Sequence, residues 1–330
     1  MKSSHFARAL WFGILGALFF AFTFIFNRSM NLAGGSWMWS ASLRYLFSLP
    51  MMAVLVWQKG ELKGVLSAIA RALWTWLLWS TVGFGLFYAP LSMASIYGES
   101  WFVAATWQIT ILAGLLLTPL FGQKIPRKQL GMTLLILLGI VLIQIPYFGR
   151  GLGEGVVRAS ILILIAAFSY PLGNRKMLAH CKEEQLSTTQ RVFGMTLMSV
   201  PFWLLLSVFA GVDAGLPSGG QMLQSLIVAV FSGVIATMLF FEATNLVKHN
   251  HQQLAVVEAT QAGEVLFTLF YTSLNVHLGL PIHDTIFEGI RSYPTKSTYL
   301  PSYRIFHLCA TSFLISDLVQ KENTLVGDEC

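Results

Sequence analysis

The chain has 330 residues, of which 55% are hydrophobic and 11% are charged, and its mean hydropathy is +0.66. Soluble domains carry about 25% charged residues, so this composition excludes a soluble enzyme, a disordered chain and a disulfide scaffold. The formal net charge of +6 does not indicate a nucleic-acid partner, because membrane proteins collect Lys and Arg in their cytoplasmic loops.

The apolar residues come in blocks close to the ~20 residues that an α-helix needs to cross a bilayer. We predict helices rather than barrel strands, because 134–143 and 160–168 are apolar on every face instead of alternating. The predicted fold class is therefore all-α integral membrane. Nine clear transmembrane helices are predicted at 9–26, 37–57, 73–94, 101–121, 129–148, 156–173, 192–211, 222–243 and 254–274.

The distribution of basic residues predicts the orientation of these helices. If the N-terminus is cytoplasmic, 13 Lys and Arg residues fall on the cytoplasmic side and 3 fall on the opposite side. This asymmetry is the positive-inside bias of membrane proteins. We therefore expect a multi-pass protein with a cytoplasmic N-terminus.

The sequence also contains a weak internal repeat. Segment 21–30 is echoed at 167–177, Arg44 is echoed by Arg191, and 105–108 is echoed at 259–261. These offsets of about 150 residues correspond to five helices. Because five is odd, the second copy enters the membrane from the opposite side, as in the inverted repeats of many secondary transporters.

This repeat predicts the organisation of the chain. A first five-helix repeat is expected at 1–148 and a second at 149–274, where four helices are clear; ten helices are expected in all. The second repeat thus lacks or alters its last helix. Small residues recur every four positions in the first and ninth helices, which predicts close helix packing there. They are Gly13, Ala17 and Ala21, and Ala255, Ala259 and Gly263.

Few strongly polar side chains lie inside the predicted helices, where a charge costs at least ~2.5 kcal/mol. Glu264 lies deepest in the ninth helix, about 15 Å from its start at 1.5 Å per residue, near the midplane of a core about 30 Å thick. We hypothesise that Glu264 exchanges the proton or cation that is coupled to transport. The alternative is a fixed pair between Arg44 and a glutamate, which only neutralises two buried charges. The candidate substrate and coupling residues are Arg44, Trp107, Gln108, Glu258, Gln261 and Glu264, and four of them (Arg44, Gln108, Gln261 and Glu264) are expected to face one cavity.

Aromatic residues near this set suit a lipophilic cation, and the nearest are Tyr88, Trp101 and Trp107. No cofactor or metal is predicted, because His249 and His251 alone make a poor metal site and the three cysteines have no ligand spacing. The expected partners are the lipid bilayer, a small-molecule substrate and a proton, with a homodimer left open. No cluster of catalytic residues supports an enzyme.

Five segments of the chain carry a family resemblance. They are 26–37, 40–45, 106–110, 170–175 and 258–264. These segments resemble the multidrug resistance efflux transporter family of the drug/metabolite transporter superfamily, from residue 1 to about 270. The resemblance implies ten helices in two inverted repeats, a bacterial inner membrane location and export of drugs or metabolites.

The resemblance is expected to end at Tyr271, where the family would continue with the rest of its ninth helix and a tenth. Instead 275–330 is a polar tail whose apolar stretch, 305–319, is too short to predict a span. We interpret the tail as a frameshift or replaced C-terminus; a divergent tail or weak tenth helix is the alternative. The leading functional prediction is a secondary transporter that exports small molecules by alternating access. The other reading is a truncated or frameshifted, non-transporting member of the family.

Overall fold

The computed structural model describes residues 2–125, 127–148 and 154–278, and these residues form helices without strands. The helices are α1 (Lys2–Leu32), α2 (Trp37–Gln58), α3 (Leu62–Arg71), α4 (Leu73–Tyr97), α5 (Ser100–Leu116), α6 (Arg127–Phe148), α7 (Glu154–Glu183), α8 (Thr188–Ala214), α9 (Gly219–Leu246) and α10 (251–278).

Each predicted apolar block coincides with a helix of the described residues. Among them, six are long and apolar enough to cross a membrane, namely α1, α2, α4, α7, α8 and α9. Helix α5 and the segment Leu130–Leu142 of α6 are shorter apolar helices. The described part of the chain is thus all-helical, and the chain is a multi-pass membrane protein. The count of nine spans stays a prediction, and the tail beyond residue 278 lies outside the described residues.

Four of the long helices are irregular. Helix α4 contains a π-helical stretch at Thr81–Gly85, and α9 contains one at Ala229–Ala236. Helix α5 is interrupted at Gln108, and α10 is interrupted by the 3₁₀ turn Thr260–Ala262. Such turns shift backbone hydrogen bonds and are frequent at functional sites.

The helices of the two predicted repeats interleave. Helix α1 packs against α9 and α10, α7 packs against α4 and α5, and α2 packs against α8. The main buried cluster lies among these helices and includes Tyr88, Phe102 and Trp203. Large apolar side chains such as Leu135 and Val208 are exposed on the outside of the bundle, where lipid would cover them.

The two predicted small-residue stripes face each other. A Cβ added to Gly263 of α10 would lie 3.5 Å from the Cβ of Ala17 in α1, and one added to Gly13 would collide with Thr260. Small side chains let helix backbones approach closely in membranes. The prediction of close packing is confirmed, and Gly263 of one stripe meets Ala17 of the other.

A second close approach was not predicted. It lies between Gly83, in the π-helical stretch of α4, and Gly173 of α7. A Cβ added to Gly173 would collide with the backbone of Gly83 and lie 2.9 Å from the carbonyl oxygen of Trp79. The two helices therefore touch backbone to backbone at this point.

Candidate functional site

Glu264 and Gln108 lie together in the interior of the bundle. Gln108 occupies the break in α5 and is fully buried, and Glu264 follows the 3₁₀ turn of α10 and is 1% exposed. The Gln108 side chain interacts with the Glu264 carboxyl group, and its Nε2 donates to the carbonyl oxygen of Ala104 at 3.0 Å. Glu264 Oε2 and Gln108 Oε1 are both buried without a hydrogen-bond partner. Two interrupted helices thus hold a carboxyl and an amide with unused hydrogen-bonding capacity.

Trp107 belongs to an aromatic cluster beside these residues. Its ring centroid lies 5.1 Å from that of Phe87 and 5.6 Å from that of Tyr170, and the Phe87 and Tyr170 rings are 4.7 Å apart. The Tyr170 hydroxyl group is buried and has no hydrogen-bond partner. The cluster joins α4, α5 and α7 and places an amphipathic phenol at its edge.

A cleft between α5, α7, α8, α9 and α10 leads to this region. Its cavity volume is about 40 Å³, and the cavity is open to the surroundings. Tyr170 and the predicted site residue Gln261 line it together with Arg175, Arg191 and Glu258. The cleft therefore combines aromatic, amide and charged side chains, as a small-molecule site does.

Glu258 is ion-paired with Arg175 across this cleft. Arg175 Nη2 lies 2.5 Å from Glu258 Oε2, and Arg175 Nε lies 3.2 Å from Glu258 Oε1. Arg175 Nη1 also donates to the carbonyl oxygen of Gly114 at 2.5 Å. A bidentate pair is strong and directional, so it fastens α5, α7 and α10 together.

Sequence analysis missed this pair, because Arg175 lies beyond the predicted sixth helix at 156–173 and Glu258 lies 83 residues further along the chain. The predicted topology nevertheless contained a signal for this ion pair. The predicted topology puts the end of the sixth helix and the start of the ninth on the same side, so their opposite charges lie at similar depth. Glu258 is thus already engaged by a side chain of its own chain.

Arg44 makes its contacts elsewhere in the bundle. Its Nη2 donates to Ser232 Oγ at 3.0 Å and to the Ser232 carbonyl oxygen at 3.3 Å, and its guanidinium lies 4.1 Å from the ring centroid of Tyr88. It forms no ion pair within the part of the chain that the structure describes. The fixed pair considered as an alternative for Arg44 is therefore absent from the described residues. A cavity shared by Arg44 with Gln108, Gln261 and Glu264 stays a prediction.

Two of the three aromatic residues expected to receive a cation are engaged within the chain. The guanidinium of Arg44 covers a face of Tyr88, and Trp101 Nε1 donates to Glu99 Oε2 at 2.7 Å. Among the described residues, no three His, Cys, Asp or Glu side chains are grouped so that they could hold a metal ion.

Long apolar helices around a buried polar pair, with a cleft between them, are the features of a multi-pass membrane protein that handles small molecules. The chain belongs to the EmrE family, described as "Putative multidrug resistance efflux transporter", whose family model matches residues 7–283. The expected family is therefore confirmed, and this family of membrane transporters is not an enzyme class.

Two relatives cover most of the chain. The chain is 48% identical over 275 residues to the uncharacterized protein YjlA of Bacillus subtilis (strain 168), over 79% of this chain and 85% of that protein. It is 38% identical over 310 residues to an uncharacterized 42.1 kDa protein in the intracellular alkaline protease 3'region of Shouchella clausii, over 91% of this chain and 78% of that protein.

The similarity continues past Tyr271, where sequence analysis placed its end. The family match runs to residue 283, and a share of 91% is more than residues 1–270 supply. The end of the family resemblance therefore lies later in the chain than predicted, and the frameshift interpretation stays a prediction. The polar segment 275–330, on which it also depends, lies almost entirely outside the described residues.

Proposed function

We propose that the chain is a secondary transporter that exports a small molecule across the bacterial inner membrane by alternating access, coupled to protons through Glu264. The observation that carries this proposal is the buried Glu264 beside Gln108, at the breaks of α5 and α10. Gln261, in the same 3₁₀ turn of α10, lines the cleft. An ionisable residue buried inside a membrane bundle marks a transport or proton pathway by default.

The contacts between helices support an inverted repeat. If α1, α2, α4, α5 and α6 correspond to α7, α8, α9, α10 and a further helix, a pseudo-twofold axis exchanges the contacts of α1 with those of α7. Helix α1 packs on α9 and α10, and α7 packs on α4 and α5, as this exchange requires. The contact of α2 with α8 is its own counterpart.

The irregular turns follow the same correspondence. The π-helical stretches lie in α4 and α9, and the interruptions lie in α5 and α10. Broken helices at corresponding positions of two repeats are typical of transporter binding sites. This agreement supports a site between the repeats, near Gln108 and Glu264.

The unused oxygens support proton binding at Glu264. Burying an acceptor without a donor is costly, and Glu264 Oε2 is such an acceptor in the present arrangement. A proton on the carboxyl group removes its charge and turns it into a donor. Protonation of Glu264 therefore lowers the free-energy cost of burying its carboxyl group.

The two ends of the bundle differ in a way that suits export. Arg175, Arg191 and Glu258 place the cleft at the end where α7 meets α8, which the positive-inside bias predicts to be cytoplasmic. At the other end, Arg28 Nη1 donates to the carbonyl oxygen of Ser95 at 3.0 Å, and Gln221 Nε2 donates to that of Ser36 at 2.7 Å. We interpret this conformation as one that loads substrate from the cytoplasm.

Proton coupling is tested in inside-out membrane vesicles that contain the chain and carry an acidic interior. Acridine orange fluorescence reports the pH gradient, and a panel of amphipathic cations, neutral compounds and carboxylates is added in turn. A transported compound restores the fluorescence, because its uptake releases protons. We expect Glu264→Gln to abolish this response for every compound that the unaltered chain transports.

Glu154→Gln is the matched control, since the Glu154 side chain is 79% exposed in the first turn of α7, and it is expected to respond like the unaltered chain. An undiminished response of Glu264→Gln would contradict the coupling role. A response from no compound at all would favour the non-transporting alternative. A homodimer stays a prediction.

A further inference from the structure

Arg191 is a buried cation at the cleft without an acidic partner in contact. It lies in the first turn of α8 and is 3% exposed. Its Nη2 donates to the carbonyl oxygen of Phe241 at 3.2 Å, and its guanidinium lies 4.5 Å from the Phe241 ring centroid. Its Nε is buried without a hydrogen-bond partner.

The acidic groups near Arg191 are engaged by other residues. Glu258 is held by Arg175, and Glu242, the carboxylate that acts electrostatically on Arg191, accepts a hydrogen bond from Thr188 Oγ1 at 2.7 Å. No described ion pair includes Arg191. The lining of the cleft therefore keeps one net positive charge, since Arg175 and Glu258 cancel.

We infer that the cleft selects organic anions, and that Arg191 binds the carboxylate of the substrate. An arginine side chain keeps its charge even when buried, and its burial is costly where no counterion is in direct contact. Glu242 acts on Arg191 electrostatically without forming an ion pair with it. A carboxylate removes this cost and matches the planar guanidinium donors. This inference rests on the proposed function and names the substrate class of the same site.

The other residues that line the cleft indicate the chemistry of the rest of the substrate. Ile111, Phe240 and Leu254 line it with apolar side chains, and Asn174 and Thr244 add hydrogen-bonding groups. These walls suit a compact apolar body attached to the carboxylate. The expected lipophilic cation fits less well, because the charged side chains that line the cleft sum to a positive charge.

A second, smaller cavity reaches Arg191 from the α7–α8 end of the bundle. Lys182 and Lys248 line it together with Arg191. Arg191 is thus common to both spaces, and each of the three charged groups at the smaller cavity is basic. A row of basic groups attracts anions toward the cleft and repels cations.

The test is a binding experiment on the purified full chain in detergent, with three radiolabelled probes that share one apolar body. These are phenylpropionate, phenylpropionamide and phenylpropylammonium, which carry a negative, zero and positive charge. We expect saturable binding of phenylpropionate, weaker binding of the amide and none of the ammonium compound. Arg191→Gln should weaken phenylpropionate binding roughly 10- to 100-fold, as expected for loss of a charged hydrogen-bonding partner.

Arg191→Lys keeps the positive charge and should retain part of the affinity, which separates loss of the site from loss of folding. Arg158→Gln is the control, because Arg158 is exposed and pairs with Glu154; it should bind like the unaltered chain. Equal binding of the three probes, preference for the ammonium compound, no saturable binding of phenylpropionate, or full affinity in Arg191→Gln would each overturn the inference.

The vesicle experiment keeps the two proposals distinguishable. Transport of cations without binding of phenylpropionate would leave the transporter proposal standing and overturn the anion proposal. Charge-selective binding without any transport would overturn the transporter proposal and leave the cleft as an anion-binding site.

Discussion

The backbone contact between α4 and α7 makes Gly173→Ala a sharp test of the fold. The added Cβ would lie 2.9 Å from the carbonyl oxygen of Trp79 and would overlap the backbone of Gly83, whereas non-bonded carbon atoms prefer about 3.5–4.0 Å. The two helices must therefore separate by on the order of 1 Å. Because the colliding atoms belong to the backbone, no side-chain rotation relieves the overlap.

The expected loss is the difference between two effects. Overpacking costs about 1–3 kcal/mol, and the upper end applies here because backbone must move. Replacing a helical glycine by alanine returns about 1 kcal/mol, so the net loss of unfolding free energy is about 2 kcal/mol. At about 2–4 °C per kcal/mol, the melting temperature should fall by roughly 4–8 °C.

Thermal unfolding in detergent, followed by tryptophan fluorescence, measures this change. Gly139→Ala is the control, because no atom lies within 4 Å of a Cβ added to Gly139; it should melt at or above the temperature of the unaltered chain. If Gly173→Ala melts as Gly139→Ala does, the two helices do not meet at Gly83 and the reasoning is refuted.

Two further predictions concern the ion pair and the topology. In a double-mutant cycle of Arg175→Gln and Glu258→Gln, each single change should lower stability, and thermal unfolding should report a coupling energy of about 1–3 kcal/mol, as for groups in one network; additive losses would show that the pair is not formed. In a chain without native cysteines, Leu216→Cys in the α8–α9 loop should react with a membrane-impermeant maleimide added outside intact cells, while Lys124→Cys, between α5 and α6, should react only after lysis. The reverse pattern would invert the predicted orientation.

The positions of the helices were predictable from hydropathy, because a lipid-exposed backbone must satisfy its hydrogen bonds internally and the bilayer sets the length. The boundaries were less predictable. Helix α7 was predicted at 156–173 and extends to Glu183, since polar residues such as Arg175 end the apolar run without ending the helix. Arg175 remains inside the bundle because Glu258 neutralises it.

Helix α3 was missed for a related reason. Leu62–Arg71 buries Val65, Ala68 and Ile69 on one face, while its other residues are largely exposed. Its apolar residues follow the helical period without forming a continuous block. A search for twenty-residue apolar runs therefore passes over such a helix, although a search for helical periodicity detects it.

The sequence did not predict which of the site residues contact one another, because these contacts join distant parts of the chain. Gln108 and Glu264 were both chosen because polar groups inside a membrane are costly, and the structure brings them together. Arg44 was chosen by the same argument, yet its contacts go to Ser232 and Tyr88. The free-energy cost of burying a polar group in a membrane identifies which residues need partners. The identity of the partners depends on how the helices cross, and a single sequence does not give this information.

The polar residues whose burial in the membrane costs free energy nevertheless predict where the helices become irregular. Arg44 donates to the carbonyl oxygen of Ser232, which lies in the π-helical stretch of α9; Gln108 separates the two parts of α5, and Gln261 lies in the 3₁₀ turn of α10. A regular helix offers few free backbone groups in its interior, whereas irregular turns release some of them. A buried polar side chain and an irregular turn therefore satisfy each other. In a membrane sequence, an isolated polar residue within an apolar block thus indicates a break in its own helix or in the helix packed against it.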